Sequence, residues 1–225
     1  SKAPRRTSLH WPEAWRIVPS RFPPRGVFDR IASPDDLEAL FAIESLTNAR
    51  LRQELGQLDL VPRARRVSGP GTQPIMAAFT HLNPDGSRFS DGSYGVFYAA
   101  RALETAVAET MYHRARFMAA TREPAMKLEM RCYRTAIEGR LHDLRKGWPT
   151  MLHPTDYGPP QALARELRAA GSDGVVYPSV RHAGGECVGV FFPDLVKPCV
   201  QAQHLIYSWD GERMHAQYAV ATLRE

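Results

Sequence analysis

Residues 95–120, GVFYAARALETAVAETMYHRARFMAA, join a short apolar run to the most regular periodic segment of the chain. Residues 95–99 predict a buried strand, and residues 102–120 predict a helix because their apolar side chains recur at helical spacing. That apolar face comprises Leu103, Val107, Thr110, Met111 and Met118. At about 100° per residue, Glu109 falls far from this face. Because Tyr98 ends the strand just before the helix begins, the two lie close in space, and an aromatic ring and a carboxylate could face one pocket if a cleft opens on that side.

Outward from this stretch, the chain predicts one α+β domain over residues 15–225, with mixed β-sheets flanked by helices. Residues 1–14, basic and interrupted by two prolines, predict a loose arm. Further helices are predicted over residues 34–56, after the N-cap Ser33, and from Pro159 to Gly171. Strands are predicted from Trp15 and over residues 75–82, 126–133, 140–144, 175–177, 187–192, 205–209 and 215–220.

Composition limits the functional classes. The 225 residues are 44% hydrophobic and 24% charged, which is typical of a globular protein and excludes a wholly disordered chain. No apolar run approaches the roughly 18 residues of a membrane span, and no apolar segment follows the basic N-terminus as in a signal peptide, so we expect a cytoplasmic protein. Three widely spaced cysteines and the absence of an H-E-x-x-H pair argue against a disulfide framework and a metal site.

Two loops carry polar residues suited to chemistry. Residues 86–98 are rich in turn formers, and Arg88 within them could clamp a phosphate, although an exposed Arg in a glycine-rich turn is the simpler interpretation. Residues 177–186 contain Ser179 and predict an ordinary loop or a phosphate-binding nest. No G-x-S-x-G surrounds that serine, and neither loop matches a P-loop or a dinucleotide-binding motif. For Glu109 by itself, a solvated helix face is the simpler interpretation.

Taken together, these places resemble the RES domain, a family named for an Arg, a Glu and a Ser that here are Arg88, Glu109 and Ser179. Tyr98 lies ten residues after the arginine and eleven before the glutamate. The similarity also includes the opening segment WRIVPSRFP at residues 15–23 and the segment YPSVR at residues 177–181, and it spans roughly residues 15–195. The family usually shows Gly-Gly-Arg-[Phe/Trp]-Asn, whereas this chain has GSRFS at residues 86–90.

The resemblance implies a fold related to ADP-ribosyltransferases and a toxin that is paired with a helix-turn-helix antitoxin of the Xre type. It implies an enzyme that consumes NAD as a substrate, without a bound cofactor, by hydrolysis or phosphorolysis of the nicotinamide–ribose bond. Inorganic phosphate is then a further partner. Glu109 would stabilise the ribosyl cation, Tyr98 would stack on nicotinamide, and Ser179 would hold the glutamate or the ribose. Arg88 would hold the pyrophosphate, with Arg16, Arg21 and Arg181 as further substrate-binding candidates.

Other functions stay open at this level. An ADP-ribosyltransferase that modifies a cellular protein would use the same residues. A nucleic-acid-binding or RNA-cleaving protein is suggested by the basic residues, of which four are Lys and the other 25 Arg, although a net charge of +5 is modest and direct nucleic-acid binding is not our expectation. A third alternative is a catalytically silent interaction module on the same fold.

Overall fold

The computed structural model describes residues 3–21, 26–31, 33–36, 53 and 55–218. The strands are β1 (Arg6–Pro19), β2 (Phe97–Ala100), β3 (Met126–Asp143), β4 (Gly174–Pro178), β5 (Glu186–Val190), β6 (Val200–Trp209) and β7 (Met214–Tyr218). The helices bounded within these residues are α1 (Val27–Arg30), α2 (Gln73–Thr80), α3 (Leu103–Thr121) and α4 (Gly158–Ala169). Short 3₁₀ turns lie at Leu58–Leu60, Arg63–Arg65, Pro149–Leu152 and Pro193–Leu195.

The described strands form one seven-stranded mixed sheet in the order β1-β2-β5-β4-β3-β6-β7. Strand β1 also pairs with β3, so that β1, β2, β5, β4 and β3 form a closed ring. Two of the strand pairings in this ring involve few residues. Strand β1 pairs with β2 only at Trp15 and Ala100, and β3 pairs in parallel with β4 at His142 and Asp143. The predicted α+β class is confirmed, with a single sheet in place of several. Within the described part of the chain, no helix combines the length and apolarity that a membrane span requires.

The N-terminal segment departs from the prediction of a loose arm over residues 1–14. From Arg6 onward it is the first half of β1, which pairs antiparallel with β3. The register shifts between Trp11 and Ala14, and Pro12 lies in this irregularity, where a missing N–H breaks no ladder bond. Residues 126–133 and 140–144, predicted as two strands, belong to the continuous β3, because β1 supplies a partner along most of its length.

The segment 75–82, predicted as a strand, is mostly helix α2. Ile75, Met76 and Phe79 are buried at helical spacing, and Pro74 suits the first turn of a helix. The helix predicted over residues 34–56 falls mainly outside the described residues. The predictions that correspond to α3, α4, β4, β5, β6 and β7 are confirmed.

Two apolar clusters stabilise the sheet. The first includes Phe28 and Ile75 with inward residues of β1 and β2, such as Trp11 and Phe97. The second packs α3 and α4 against the sheet and includes Phe89, Val107, Leu163, Tyr177 and Tyr207. Helix α3 contacts β1, β2 and β7, and so lies near the short pairing between β1 and β2.

Candidate active site

A cleft of about 530 Å³ opens beside the short pairing of β1 with β2, and is lined by both strands, by α3 and by the loop at residues 83–88. A volume of this size suits a small-molecule ligand. The residues that line it are Trp15, Arg16, Ile17, Asn83, Asp85, Gly86, Ser87, Arg88, Tyr98, Ala99, Ala100, Ala106, Glu109, Thr110, His113, Arg116, Phe117, Ala120, Tyr157, Tyr177 and Cys187. No three His, Cys, Asp or Glu side chains are grouped as metal ligands would be within the described residues.

Arg88 lies at the tip of a tight turn in which the Ser87 N–H donates to the Ser90 carbonyl at 2.7 Å. Gly86 precedes the turn with φ of 72°, a left-handed conformation that suits glycine. Gln161 of α4 fixes the turn by donating to the carbonyls of Ser87 and Ser90 at 2.9 and 3.1 Å. The position of Arg88 is therefore determined by the fold and is not that of a residue in a loose loop.

The Arg88 side chain is only 6% exposed, which contradicts the simpler interpretation of an exposed turn residue. Its Nη1 atom donates to the carbonyls of Met151 and His153 at 3.2 and 2.8 Å, and the guanidinium lies 4.7 Å from the centre of the Tyr157 ring. No carboxylate pairs with Arg88 among the described residues, and its Nε and Nη2 atoms form no hydrogen bond there. A buried cation in this situation favours an anionic ligand.

The carboxylate of Glu109 is held by the loop that follows β4. The Ser179 hydroxyl donates to Glu109 Oε1 at 2.6 Å, and the Val180 N–H donates to the same oxygen at 3.1 Å. The Ser179 oxygen also accepts hydrogen bonds from the N–H groups of Arg181 and His182 at 3.1 and 3.0 Å. With its proton given to a carboxylate and its oxygen bonded twice, this serine is a support for Glu109 rather than a nucleophile.

The charges of Arg88 and Glu109 influence the pKa values of the same neighbouring side chains. Burial raises the pKa values of the Tyr177 hydroxyl and the Cys187 thiol, and the charges of Glu109 and Arg88 then shift both in opposite directions. Desolvation lowers the pKa of His113; there the charge of Glu109 acts to raise it, and the charges of Arg181, Arg88 and Arg116 act to lower it. Arg88 and Glu109 also line the same cleft, so one ligand in it can contact both.

Tyr98 joins the two halves of the site. Its hydroxyl is hydrogen-bonded to Ser87 Oγ at 2.7 Å and accepts from the Phe89 N–H at 2.9 Å, while its side chain lines the cleft. Burial raises the pKa of this hydroxyl well above its ordinary value, so it stays protonated. Ser90, which stands where the family pattern has Asn, fixes the same turn by donating to the Tyr94 carbonyl at 2.5 Å.

The three further arginine candidates differ in their surroundings. Arg16 lines the cleft, donates to the Tyr98 carbonyl at 3.1 Å and has its pKa lowered by burial. Arg21 is exposed and does not line the cleft. Arg181 also lies off the cleft, with its guanidinium 3.3 Å from the centre of the Tyr112 ring and a hydrogen bond to the Pro154 carbonyl. Arg21 and Arg181 are thus outside the cleft lining, but the charge of Arg181 acts on His113, which does line the cleft.

Sequence reasoning missed several residues of the cleft. Tyr157 contributes aromatic surface from a loop far from Glu109 in the chain, and no local pattern marks it. Tyr177 lies in the YPSVR segment, but the sequence did not indicate that its ring lines the cleft. His113, which no motif marks in the sequence, lines the cleft one helical turn after Glu109. Its spacing of four residues from the glutamate was the available signal.

A protein-family model for the RES domain matches residues 62–210, which include Arg88, Tyr98, Glu109 and Ser179. The chain belongs to the RES-domain family. A relative of this RES-domain protein, the uncharacterized protein y4oC of Sinorhizobium fredii (strain NBRC 101917 / NGR234), is 35% identical over 214 residues, or 92% of this chain and 87% of the relative. Strand β1 lies outside the family match although it lines the cleft.

A solved structure, the M. tuberculosis MbcT–MbcA toxin–antitoxin complex, is also similar to this RES-domain protein. The superposition covers 91% of this chain and 87% of the other, with a TM-score of 0.46 and 12% sequence identity. Both values are too low for the function of one molecule to be carried over to the other.

Proposed function

We propose that this RES-domain protein is the toxin of a toxin–antitoxin pair and that it cleaves the nicotinamide–ribose bond of NAD. One observation carries the chemical part of the proposal. The cleft combines a carboxylate, Glu109, fixed by two hydrogen bonds, with a buried cation, Arg88, that has no carboxylate partner among the described residues. A substrate with an anionic group and an electron-poor sugar fits both.

Arg88 holds the pyrophosphate in this proposal. Its Nη1 atom is oriented by the carbonyls of Met151 and His153, so the side chain is fixed before a ligand arrives. The Nε and Nη2 atoms, which form no hydrogen bond among the described residues, make up the edge of a guanidinium that can meet two phosphate oxygens at once. Arg16, also in the cleft, adds positive charge.

Glu109 stabilises the transition state. Nicotinamide leaves as a neutral molecule from a cationic substrate, so no acid is needed to protonate it, and positive charge develops on the ribose as in glycoside hydrolysis. Glu109 Oε1 is occupied by Ser179 and Val180, while Oε2 forms no hydrogen bond among the described residues. That second oxygen can accept a ribose hydroxyl and face the developing charge. Tyr98 and Tyr177 supply aromatic surface for the base.

Membership of the RES family supports the toxin role, because RES proteins act as toxins of pairs with Xre-type antitoxins. The antitoxin, the NAD substrate and a role for inorganic phosphate enter as parts of this proposal. Transfer of ADP-ribose to a cellular protein is an alternative that the same residues support, since the acceptor arrives after nicotinamide has left.

The test is incubation of the purified protein with NAD, with and without inorganic phosphate, followed by mass spectrometry of the products. We expect release of nicotinamide together with ADP-ribose, or with its phosphorylated form when phosphate is the acceptor. Labelled ADP-ribose on a protein would identify a transferase. Binding of NAD without release of nicotinamide would contradict the proposal and favour a silent interaction module.

A further inference from the structure

The loop Ser179–Gly185 contacts one face of α3 on three successive turns. The helix residues involved are Thr105, Glu109 and Tyr112, whose spacings of four and three residues place them on the same side. Their partners in the loop are His182, then Ser179 with Val180, and then Arg181. Glu109 is thus the middle of three attachment points.

The contact between Thr105 and His182 lies one turn before Glu109. Thr105 Oγ1 and His182 Nδ1 share a hydrogen bond of 2.8 Å, and the threonine is fully buried. Its hydroxyl forms no other hydrogen bond within the described part of the chain. The loop closes tightly here, since a Cβ atom at Gly185 would lie 2.6 Å from Thr105 Oγ1 and 3.1 Å from His182 Nδ1.

The same histidine is joined to the catalytic carboxylate through its backbone. The His182 N–H donates to Ser179 Oγ at 3.0 Å, and the Ser179 hydroxyl donates to Glu109 Oε1. Three hydrogen bonds therefore connect Thr105 to Glu109 through His182 and Ser179, and all four residues belong to α3 or to the loop. Neither Thr105 nor His182 lines the cleft.

We infer that Thr105 and His182 are positioning residues that set the orientation of the Glu109 carboxylate for turnover. This inference rests on the proposed function and extends it beyond the Arg, Glu and Ser of the family pattern. Without the Thr105 contact, the loop loses one of its attachments to α3, and the donors to Glu109 Oε1 lose their fixed geometry. The two carbonyls that orient Arg88 belong to Met151 and His153, outside this loop, so we expect the effect on kcat rather than on KM.

The first test compares Thr105→Val with Thr105→Ser by steady-state kinetics on NAD. We expect the valine variant, which lacks only the hydroxyl, to lose about tenfold to thirtyfold in kcat with KM for NAD within about twofold of wild type. The serine variant should recover most of kcat. Thr121→Val is the matched control, because the Thr121 hydroxyl bonds only carbonyls of its own helix.

A double-mutant cycle separates positioning from general destabilisation. If Thr105 acts through Ser179, the Thr105→Val change should cost little further kcat once Ser179→Ala has removed the connection. Losses that multiply in the double variant would overturn the inference, and so would a Thr105→Val enzyme with unchanged kcat.

Hydrogen exchange tests the same contact without any substrate. The N–H groups of Val180 and His182 are bonded to Glu109 and to Ser179, so Thr105→Val should speed their exchange while leaving the core of β3 protected. Unchanged exchange at both amides would refute the inference even if wild-type protein consumes NAD. Faster exchange in a protein that leaves NAD intact would instead refute only the proposed function.

Discussion

Glu109 and Arg88 bear opposite charges in one cleft, and each is held by groups that leave part of it available. Among the described residues, Oε2 of the Glu109 carboxylate and Nε and Nη2 of the Arg88 guanidinium form no hydrogen bond. Fixed charges with a free edge are suited to a ligand that carries complementary charge, because they need little reorganisation on binding. The catalytic assignment of these residues stays a prediction, and single substitutions can test it.

Glu109→Gln should nearly abolish release of nicotinamide from NAD. The amide keeps the shape of the side chain but removes the negative charge that faces the ribosyl cation, a loss on the order of 3 kcal/mol or a hundredfold in rate. Glu104→Gln, on the exposed side of the same helix, is the matched control. Thermal unfolding of all three proteins checks that the fold survives, and an active Glu109→Gln enzyme would disprove the role.

Arg88→Lys should weaken NAD binding although it keeps the charge. A lysine lacks the two-pronged edge that a pyrophosphate favours, and it cannot reproduce the bonds to the Met151 and His153 carbonyls with the same geometry. We expect the dissociation constant, measured by calorimetry on the inactive Glu109→Gln background, to rise about tenfold or more. Arg140→Lys, on the exposed face of β3, should change nothing. Equal affinity in the two variants would show that another cation holds the phosphates.

At the scale of elements, an ion-pair cluster joins the ends of β3 and β5 beside the loop that holds Glu109. Arg145 donates to Asp143 at 2.6 Å and to Glu186 at 3.0 Å, and Arg101 reaches Glu186 from the start of α3 at 3.0 Å. The hydrogen bond from Arg145 lowers the pKa of Asp143 below its ordinary value of 3.8. At Glu186, burial acts to raise the pKa of the carboxyl. The hydrogen bonds and charges of Arg145 and Arg101 outweigh this, so the pKa is lowered.

Arg145→Gln should lower the free energy of unfolding by about 1 kcal/mol at neutral pH, a discounted value because the pair is partly exposed. Since the folded pKa of Asp143 is depressed, its contribution is present above the unfolded pKa of 3.8 and is lost as the pH falls through the lower folded value. Urea unfolding near pH 7 should therefore show a difference in the free energy of unfolding between wild type and Arg145→Gln, and this difference should disappear below about pH 3.

Arg134→Gln is the control for this series. Arg134 lies 3.6 Å from Glu13, and both side chains are about half exposed, so the substitution should have little effect at either pH. A difference between wild type and Arg145→Gln that stays constant down to the acid range would contradict the ion-pair explanation.

At the scale of the whole molecule, the closed ring of strands determines where the cleft can form. Strands β1 and β2 are connected around the ring through β5, β4 and β3, yet their direct pairing is limited to Trp15 and Ala100. The gap between them becomes the cleft, and Arg16 spans it with a hydrogen bond to the Tyr98 carbonyl. A partner that covers this opening would control access to both charged groups.

A cognate antitoxin should inhibit the enzyme by covering the cleft. A cleft that accepts two phosphates is locally positive, so acidic or carboxyl-terminal groups of a partner can compete for it. We expect the complex to slow hydrogen exchange in the loops at residues 86–90 and 179–185, and co-expression to prevent loss of cellular NAD. Protection confined to the opposite face, with NAD still able to bind, would refute this mode of inhibition.

The sequence by itself determined the helices α3 and α4, the later strands, and the order of Arg88, Tyr98, Glu109 and Ser179 along the chain. These features depend on local periodicity, on turn-forming residues and on motif spacing, all of which are visible within short windows. The bond between Ser179 and Glu109 is the case in which a spatial expectation from the family resemblance agrees with the structure.

Only the tertiary structure decided which segments find partners and which side chains reach the cleft. Strand pairing with β3 converts the expected arm into β1, and packing against the sheet makes residues 73–80 helical. Arg88 is buried because carbonyls more than sixty positions away accept its hydrogen bonds, and Arg181 packs on the ring of Tyr112, a residue almost seventy positions before it. Burial and pairing are sums over contacts between distant residues, so no local pattern specifies them.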